Sequence, residues 1–286
     1  MLPGSSGVSI LSPFVTTDWL AANLHSSSVA LVDASWYMPA AKRDPAADFL
    51  VSHLPGAVFF DIDAIADKTT DLPHMLPTPE EFERMVGALG ISDRQTIVIY
   101  DEIGLQSAPR VWWTFRAMGA PDVRILEGGA PKWRAEQRPL ESGAPSIETA
   151  SFSAHFDADF VRSLDQMLDN VQTNARQVVD ARSAGRFAGT EPEPRAGLKS
   201  GHIPGSLNVP VGLLTQDGIL KPADELKALF AQSGIDLEKP ITTSCGSGIT
   251  ASTLALALEV AGARDVAVYD GSWTEWGGAP STPVER

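Results

Sequence analysis

Residues 241–262 read ITTSCGSGITASTLALALEVAG, and this segment decides the fold of the chain. It begins with a short β-branched run that ends at Cys245, and it continues through a glycine-rich loop into a helical apolar pattern that stops at Gly262. A buried strand followed by a loop and a helix is typical of a parallel sheet with helices on both faces. The segment therefore predicts an α/β fold. It also places Cys245 at the carboxyl end of a strand, where such sheets bind their ligands.

The chain repeats this organisation. QTIVIYDEIGLQSAPRVWWTFRAMGAPDVRILEGGAPKW (95–133) follows the order of PITTSCGSGITASTLALALEVAGARDVAVYDGSWTEW (240–276), so that Asp101 lies 144 residues before Cys245. VALVDASWYM (29–38) resembles RQVVDARSAGRF (176–187) at an offset of 147 residues, and SHLPGAVFFDID (52–63) resembles GHIPGSLNVPVG (201–212) at an offset of 149. Three matches in one order predict two copies of one domain.

The predicted fold is α/β, with two tandem domains that each contain a small parallel sheet flanked by helices on both faces. We place the first domain at 1–140 and the second at 158–286. The linker is placed at 141–157, because this stretch is polar, rich in small residues and without periodicity. Within the first copy, TPEEFERMVGALG (78–90) predicts a helix with Thr78 as its N-cap.

Composition limits the partners and the compartment. The 22 basic and 36 acidic residues give a formal net charge of −14, which repels nucleic acid and anionic membranes, so we expect neither as a partner. No apolar run approaches the ~20 residues of a membrane span, and the first fifteen residues contain no basic residue. A single cysteine cannot form an intramolecular disulfide. We therefore expect a cytoplasmic protein.

The loop after Cys245 predicts a nucleophile. Glycines at 246 and 248 allow backbone N–H groups to turn inward and bind an anion, and the following helix adds the positive end of its dipole. A thiol held there is expected to ionise readily near neutral pH. The alternative is that Cys245 is a small buried hydrophobic residue, as most free cysteines are. The position between a strand end and a helix favours the nucleophile.

Two chemistries use a thiolate in such a loop. Phosphatases with a Cys-x5-Arg motif need an arginine six residues after the cysteine, but Ala251 stands there and no other loop residue is cationic. Sulfur transfer needs only the thiolate and N–H donors that stabilise a persulfide anion, without metal or other cofactor. The sequence therefore favours sulfur transfer over phosphate hydrolysis.

Several motifs resemble those of the 3-mercaptopyruvate sulfurtransferases, which belong to the two-domain rhodanese superfamily. The resemblance extends from about residue 29 to residue 276, and it is carried by CGSGITA (245–251) and GHIPG (201–205) together with FFDID (59–63), HMLP (74–77), SAPRVWW (107–113) and GRFAGTEPEPRAG (185–197). It implies that Cys245 carries the persulfide and that Ser247 and His74 handle protons, with Asp63 supporting His74. It also implies that Arg186 and Arg195 hold the carboxylate and keto oxygen of the substrate. We expect the remaining loop residues to contribute to substrate binding: Gly246, Gly248, Ile249 and Thr250.

The residues beside Cys245 indicate which sulfur donor the protein uses. Thiosulfate is a dianion, and rhodaneses that use it typically have Arg and Lys next to the cysteine, where this chain has Gly246 and Ser247. A neutral hydroxyl suits a donor whose sulfur is a thiol and whose charge lies on a distant carboxylate. We therefore favour 3-mercaptopyruvate as the donor of the sulfane sulfur. A small thiol, cyanide and thioredoxin are the candidate acceptors. The alternatives are a thiosulfate:cyanide sulfurtransferase and a non-catalytic persulfide carrier.

The roles of several site residues have plainer alternatives. Arg110 is expected to brace the domain interface, with substrate contact as the less favoured role. Asp63 could simply cap a helix, and Arg186 and Arg195 could pair with nearby glutamates on the surface. In the first copy, Asp101 stands where the second has Cys245, and a carboxylate there would reject an anionic ligand. We therefore predict one active site per chain, at the interface between the domains.

Overall fold

Two five-stranded sheets, both entirely parallel, organise the protein. The computed structural model describes residues 12–286. In the first domain the strand order is β1-β5-β4-β2-β3. Its elements in chain order are β1 (Phe14–Val15), α1 (Thr17–Asn23), β2 (Val29–Asp33), α2 (Pro45–Val51), β3 (Val58–Phe59), α3 (Pro79–Ala88), β4 (Thr96–Tyr100), α4 (Ala108–Ala117), β5 (Val123–Leu126) and α5 (Gly129–Ala135).

The second domain repeats this order as β6-β12-β11-β7-β8 and adds a two-stranded antiparallel hairpin. Its elements are β6 (Val161–Arg162), α6 (Leu164–Thr173), β7 (Gln177–Asp180), α7 (Ala184–Phe187), β8 (Leu207–Asn208), the hairpin strands β9 (Thr215–Gln216) and β10 (Ile219–Leu220), α8 (Ala223–Gln232), β11 (Ile241–Ser244), α9 (Ile249–Ala261), β12 (Val266–Tyr269) and α10 (Ser272–Gly278). The prediction of two tandem α/β domains is confirmed.

The register of the two sheets is equivalent. Asp33 pairs with Tyr100, and Asp180 pairs with Ser244, so Asp101 and Cys245 each follow the middle strand of their sheet. Both middle strands are almost wholly buried, which explains why their sequences are apolar or β-branched on both faces. The two candidate loops therefore leave matching edges of matching sheets.

A pair of histidines repeats as well. The Nδ1 atom of His53 lies 2.7 Å from the carbonyl oxygen of Phe49, and the two rings stack with centroids 4.1 Å apart. His202 has the same arrangement with Phe187, at 2.8 Å and 3.8 Å. Because both copies contain this contact, its role is to hold a turn of the fold.

Helix limits follow the capping residues in the sequence. In α3 the Thr78 hydroxyl accepts a hydrogen bond from the backbone N–H of Glu81, as its N-cap position predicts. Helix α9 ends before Gly262, whose φ of 109° lies in the left-handed region that favours glycine. None of the helices formed within residues 12–286 is long and apolar enough to cross a membrane.

The domains pack against each other through α4 and α9, and one hydrophobic core contains residues of both. At the carboxyl ends of these helices, Arg116 Nη1 donates to both carboxylate oxygens of Glu259 at 2.9 and 2.7 Å. At their amino ends lie the loops that follow β4 and β11. The connecting segment runs back over the first domain, where Phe152 packs on Phe82 and Phe115. Its limits at 141 and 157 stay a prediction.

Candidate active site

Cys245 lies directly after β11 and is only 2% exposed. Its backbone is held by the turn that joins β12 to α10. The Cys245 N–H donates to the hydroxyl of Ser272 at 3.2 Å, and the Cys245 carbonyl accepts from the N–H of Trp273 at 2.9 Å. The thiol is thus carried on a short, fixed segment at the edge of the sheet.

The three residues after Cys245 present unpaired backbone donors. The N–H groups of Gly246, Ser247 and Gly248 make no hydrogen bond to any residue within 12–286. Ile249 and Thr250 form the first turn of α9, whose N–H groups have no acceptor inside a helix. Gly248 has a φ of +83°, which turns the chain into that helix. This geometry can hold an anion beside the thiol.

Arg186 lies against the loop on one side. A methyl group added to Gly246 would come within 3.1 Å of Arg186 Nη2. The same guanidinium is held by Glu193, whose Oε2 accepts from Nη2 at 2.6 Å and from Nε at 3.1 Å. Glu193 in turn pairs with Arg182, a fully buried arginine. Arg186 is therefore both a partner of a glutamate and a neighbour of the loop.

Arg110 lies against the loop on the other side and joins the domains. It belongs to α4 of the first domain, and its Nη2 is 2.7 Å from Oδ1 of Asp270, which follows β12 of the second. The same atom donates to the backbone carbonyl of His74. The other carboxylate oxygen of Asp270 accepts from the N–H of Leu76 at 2.8 Å. A methyl group on Gly248 would come within 2.8 Å of Arg110 Nη1.

These contacts support the bracing role predicted for Arg110. Its Nη1 atom is buried and has no hydrogen-bond partner among residues 12–286, so one donor beside the loop stays unpaired. This atom is available for a substrate contact. Its role in substrate binding stays a prediction.

His74 is buried beside this network, with its backbone in the left-handed region at a φ of 64°. Such a conformation is uncommon outside glycine and is tolerated where the surroundings enforce it. His74 Nδ1 lies 2.9 Å from Oδ1 of Asp63, and the indole N–H of Trp36 donates to Oδ2 of Asp63 at 3.1 Å. His74 Nε2 has no hydrogen-bond partner among the described residues.

Burial lowers the pKa of His74, while the hydrogen bond and charge of Asp63 oppose that effect. The charges of Arg110 and Arg195 lower the pKa of His74 further. The hydrogen bond with His74 lowers the pKa of Asp63, which keeps that carboxyl ionised. A carboxylate 2.9 Å from Nδ1 favours the ring proton on that atom, which leaves Nε2 of the neutral ring available as a proton acceptor.

The structure brings most of the predicted residues together. Cys245 and its loop, Arg186, Arg110 and His74 form a continuous set of contacts across the domain interface, and Asp63 touches the set through His74. Arg195 is partly exposed and makes no ion pair within the described chain, but its charge acts on His74. No cluster of three or more potential metal ligands occurs between residues 12 and 286.

Asp270 and Ser272 are not among the residues predicted from the sequence, and Glu193 is more than the surface partner that the sequence suggests for a nearby arginine. Asp270 directly follows β12, the neighbour of β11 in the sheet, so the strand-end rule that located Cys245 applies to it as well. Ser272 gave no such signal, because its role depends on a backbone contact with a distant turn.

Asp101 occupies the equivalent position in the first domain, and its carboxylate is enclosed. Five backbone N–H groups donate to it at 2.6–2.9 Å, from Ile103, Gly104, Gln106, Ser107 and Ala108. The first domain has the same kind of anion-binding loop, but the loop binds a side chain of its own. This agrees with the prediction that an external anion would be rejected there.

Comparisons with known proteins match both domains. Residues 16–136 and 162–279 each match the family described as rhodanese-like domain. The chain is 46% identical to 3-mercaptopyruvate sulfurtransferase from Mus musculus, over 92% of this chain and 91% of that one. It is 44% identical to the Arabidopsis thaliana protein named thiosulfate/3-mercaptopyruvate sulfurtransferase 1, mitochondrial, over 98% of this chain and 80% of that one.

Among solved structures, the chain is similar to SseA from Escherichia coli, described as a 3-mercaptopyruvate sulfotransferase. The TM-score is 0.84 with 42% sequence identity, and the match covers 91% of this chain and 98% of that chain.

Proposed function

This chain belongs to the rhodanese family, and from that premise we propose that it is a sulfurtransferase that takes sulfur from 3-mercaptopyruvate and releases pyruvate. The names of the mouse and Escherichia coli relatives support this donor. The observation that carries the proposal is the loop of Cys245, where a buried thiol is followed by three backbone N–H groups without partners among residues 12–286. These donors suit a persulfide anion, whose charge would otherwise be buried without compensation.

In the first half-reaction, the Cys245 thiolate attacks the sulfur of the donor. The bond between that sulfur and the donor's methylene carbon breaks, and its electron pair leaves with the carbon as the enolate of pyruvate. The enzyme gains one sulfur and carries a Cys245 persulfide. Arg186 and Arg195 orient the donor by binding its carboxylate and keto oxygen through charge-assisted hydrogen bonds.

The reaction needs a group that moves one proton from the donor thiol to the enolate carbon, and we assign this step to His74. The donor thiol loses a proton when its sulfur becomes part of the persulfide anion, and the enolate carbon needs one proton to become a methyl group. His74 Nε2, which has no partner in the described part of the chain and lies on a neutral ring, accepts the first proton, and Ser247 helps return it to the carbon. Asp63 keeps the ring in the tautomer that can do so.

In the second half-reaction, a nucleophilic acceptor attacks the outer sulfur of the persulfide and regenerates the thiolate. A small thiol, thioredoxin and cyanide all have the required nucleophile. Both half-reactions use the same site, so the donor and the acceptor bind one after the other.

The test is steady-state pyruvate release from 3-mercaptopyruvate and thiocyanate formation from thiosulfate, both measured on one preparation with cyanide as acceptor. We expect fast turnover of 3-mercaptopyruvate and weak use of thiosulfate. The Cys245→Ser variant is expected to retain its fold and lose both activities. Pyruvate release that survives this substitution would contradict the persulfide route.

Thiosulfate:cyanide transfer through the same cysteine is the second candidate. It is supported by the Arabidopsis thaliana relative, whose name includes both donors. The assay above separates the two, because a thiosulfate enzyme would form thiocyanate from thiosulfate faster than it releases pyruvate.

A further inference from the structure

The cations around the Cys245 loop are mostly neutralised by carboxylates. Arg110 pairs with Asp270 at 2.7 Å, and both side chains are buried. Arg186 pairs with Glu193 at 2.6 Å, and the side chain of Glu193 is only 3% exposed. Within residues 12–286, Arg195 has no carboxylate in salt-bridge distance, so it is the cation here whose charge is not balanced by a direct partner.

Glu193 is the centre of a buried chain of alternating charges. Its Oε1 atom is 2.7 Å from Arg182 Nη1, and its Oε2 atom is 2.6 Å from Arg186 Nη2. Arg182 also pairs with Asp180 at 2.6 Å and stacks over Trp273 at 4.1 Å. Two arginines and two carboxylates give this chain no net charge. Glu193 therefore fixes where the Arg186 guanidinium lies and also cancels its charge.

We propose that Glu193 determines the charge of the sulfur donor that the site accepts, a role that rests on the proposed function. Arg186 offers the donor N–H groups at the loop, but the adjacent carboxylate removes most of its attraction for a second negative charge. A monoanionic carbonyl acid such as 3-mercaptopyruvate needs directed hydrogen bonds and one balancing cation. A dianion such as thiosulfate must give up the hydration of two charges and finds compensation for only one.

Removing the negative charge of Glu193 should favour the dianion. In Glu193→Gln, the amide oxygen can still accept a hydrogen bond from Arg182 or Arg186, but the site becomes more positive by one unit. Because Coulomb energy is proportional to the product of the charges, thiosulfate gains about twice what 3-mercaptopyruvate gains. We expect the ratio of kcat/KM for thiosulfate to that for 3-mercaptopyruvate to rise about tenfold.

The experiment compares three variants with the unmodified protein, using both donors with cyanide as the common acceptor. Glu193→Asp keeps the charge on a shorter side chain and is expected to leave the donor ratio near that of the unmodified protein, even if both rates fall. Glu191→Gln is the matched control, because it removes the charge of an acid two residues away. The Glu191 carboxylate accepts a hydrogen bond from the Ser183 hydroxyl at 2.6 Å. We expect this substitution to change neither rate nor ratio.

The donor ratio separates a role in specificity from a role in folding. A lower folded fraction reduces both rates by the same factor and cancels in the ratio. A Glu193→Gln ratio within twofold of the unmodified protein would overturn the proposal, and so would an equal shift in Glu193→Asp. If the unmodified protein shows no Cys245-dependent turnover of 3-mercaptopyruvate, the proposed function itself fails.

A second measurement needs no variant. Acetate and sulfate are compared as inhibitors of 3-mercaptopyruvate turnover by the unmodified protein, at constant ionic strength. The balanced charges predict that sulfate inhibits no more strongly than acetate. Clearly tighter inhibition by sulfate would show a site that prefers dianions, and it would overturn the role of Glu193 even if Glu193→Gln did not fold.

Discussion

The loops that follow β4 and β11 start from the same point of the same fold and differ in the anion that they bind. The first contains the Asp101 carboxylate, which accepts five backbone hydrogen bonds. The second contains Cys245, and the N–H groups of its next three residues have no partner in the described chain. The first loop also spans seven residues before its helix, against four in the second. The fold provides an anion-binding turn twice. The residue at the start of each turn decides whether the N–H groups bind a carboxylate of the protein itself or stay available to an anion at the thiol.

The comparison also explains how the domains divide their tasks. The first domain satisfies its own loop and supplies His74 and Arg110 to the edge of the second. The second domain supplies the thiol and the arginines of its 185–197 segment. Neither half contains the whole set, so the proposed site forms only where α4 and α9 bring the two sheet edges together.

The largest expected effect concerns stability, and it falls on the domain without the thiol. Asp101→Ala leaves five N–H groups without their acceptor, three of them buried, and we expect it to lower the free energy of unfolding by about 3–5 kcal/mol. Cys245→Ala removes a small side chain and should cost only about 1 kcal/mol. Urea denaturation of both variants measures the difference. Equal losses would mean that the two loops contribute alike to stability and that the contrast drawn between them is wrong.

Much of this arrangement could be predicted from the sequence, because repeats and strand patterns are local. The two domains, the strand that ends at Cys245 and the helix after Thr78 all follow from residues that are neighbours in the chain. The Asp270–Arg110 pair could not be predicted in this way. It depends on how α4 packs against the second domain, and two residues 160 positions apart carry no local sign of their contact.

Likewise, the sequence placed Glu193 near Arg186 but gave no indication that its carboxylate is buried between two arginines. Tertiary packing determines whether a charged group is buried, and burial changes what an ion pair contributes to the structure. An exposed pair contributes little, whereas a buried one fixes the position and the charge of both partners.

A substitution of Asp63 tests whether the first domain supplies the proton acceptor. In Asp63→Asn the carboxylate that raises the pKa of His74 is lost, so the pKa of His74 should fall further below its usual range. The fixed tautomer is lost with it, and we expect kcat for 3-mercaptopyruvate to fall about tenfold, less than the full contribution of general acid–base catalysis. NMR titration of the His74 ring measures the pKa directly. An unchanged or higher midpoint would show that Asp63 does not act on this ring.

The pH dependence of stability has a defined sign. Because the pKa of His74 is lower in the folded protein than in the unfolded chain, the unfolded chain binds the extra proton first as pH falls. The contribution of His74 to stability is therefore complete above its unfolded pKa of about 6.5 and is lost as pH falls below it. Asp63→Asn should deepen this loss, and His74→Gln should remove it. Urea denaturation at pH 7.5 and 5.5 would test both.

The smallest expected effect concerns the turn that holds the backbone of Cys245. Trp273 N–H donates to the Cys245 carbonyl as Ala130 N–H donates to that of Asp101, so Ser272 and Gly129 are equivalent. Both have a positive φ, 49° and 55°, which costs a non-glycine residue about 1 kcal/mol. Two hydrogen bonds of the Ser272 hydroxyl offset this strain: it accepts one from the Cys245 N–H at 3.2 Å and donates one to the Tyr269 carbonyl at 2.8 Å.

Two substitutions at Ser272 separate strain from hydrogen bonding. Ser272→Gly relieves the strain and loses the bonds, so its free energy of unfolding should stay within about 1 kcal/mol of the unmodified protein. Ser272→Ala loses the same bonds but keeps the strain at the positive φ, so it should be less stable than the glycine variant by about 1 kcal/mol. Thermal melts of the pair give the order. If alanine were tolerated as well as glycine, the positive φ at this position would carry no strain for the hydrogen bonds of Ser272 to offset. The glycine that the first domain has here, Gly129, would then not be explained by backbone strain.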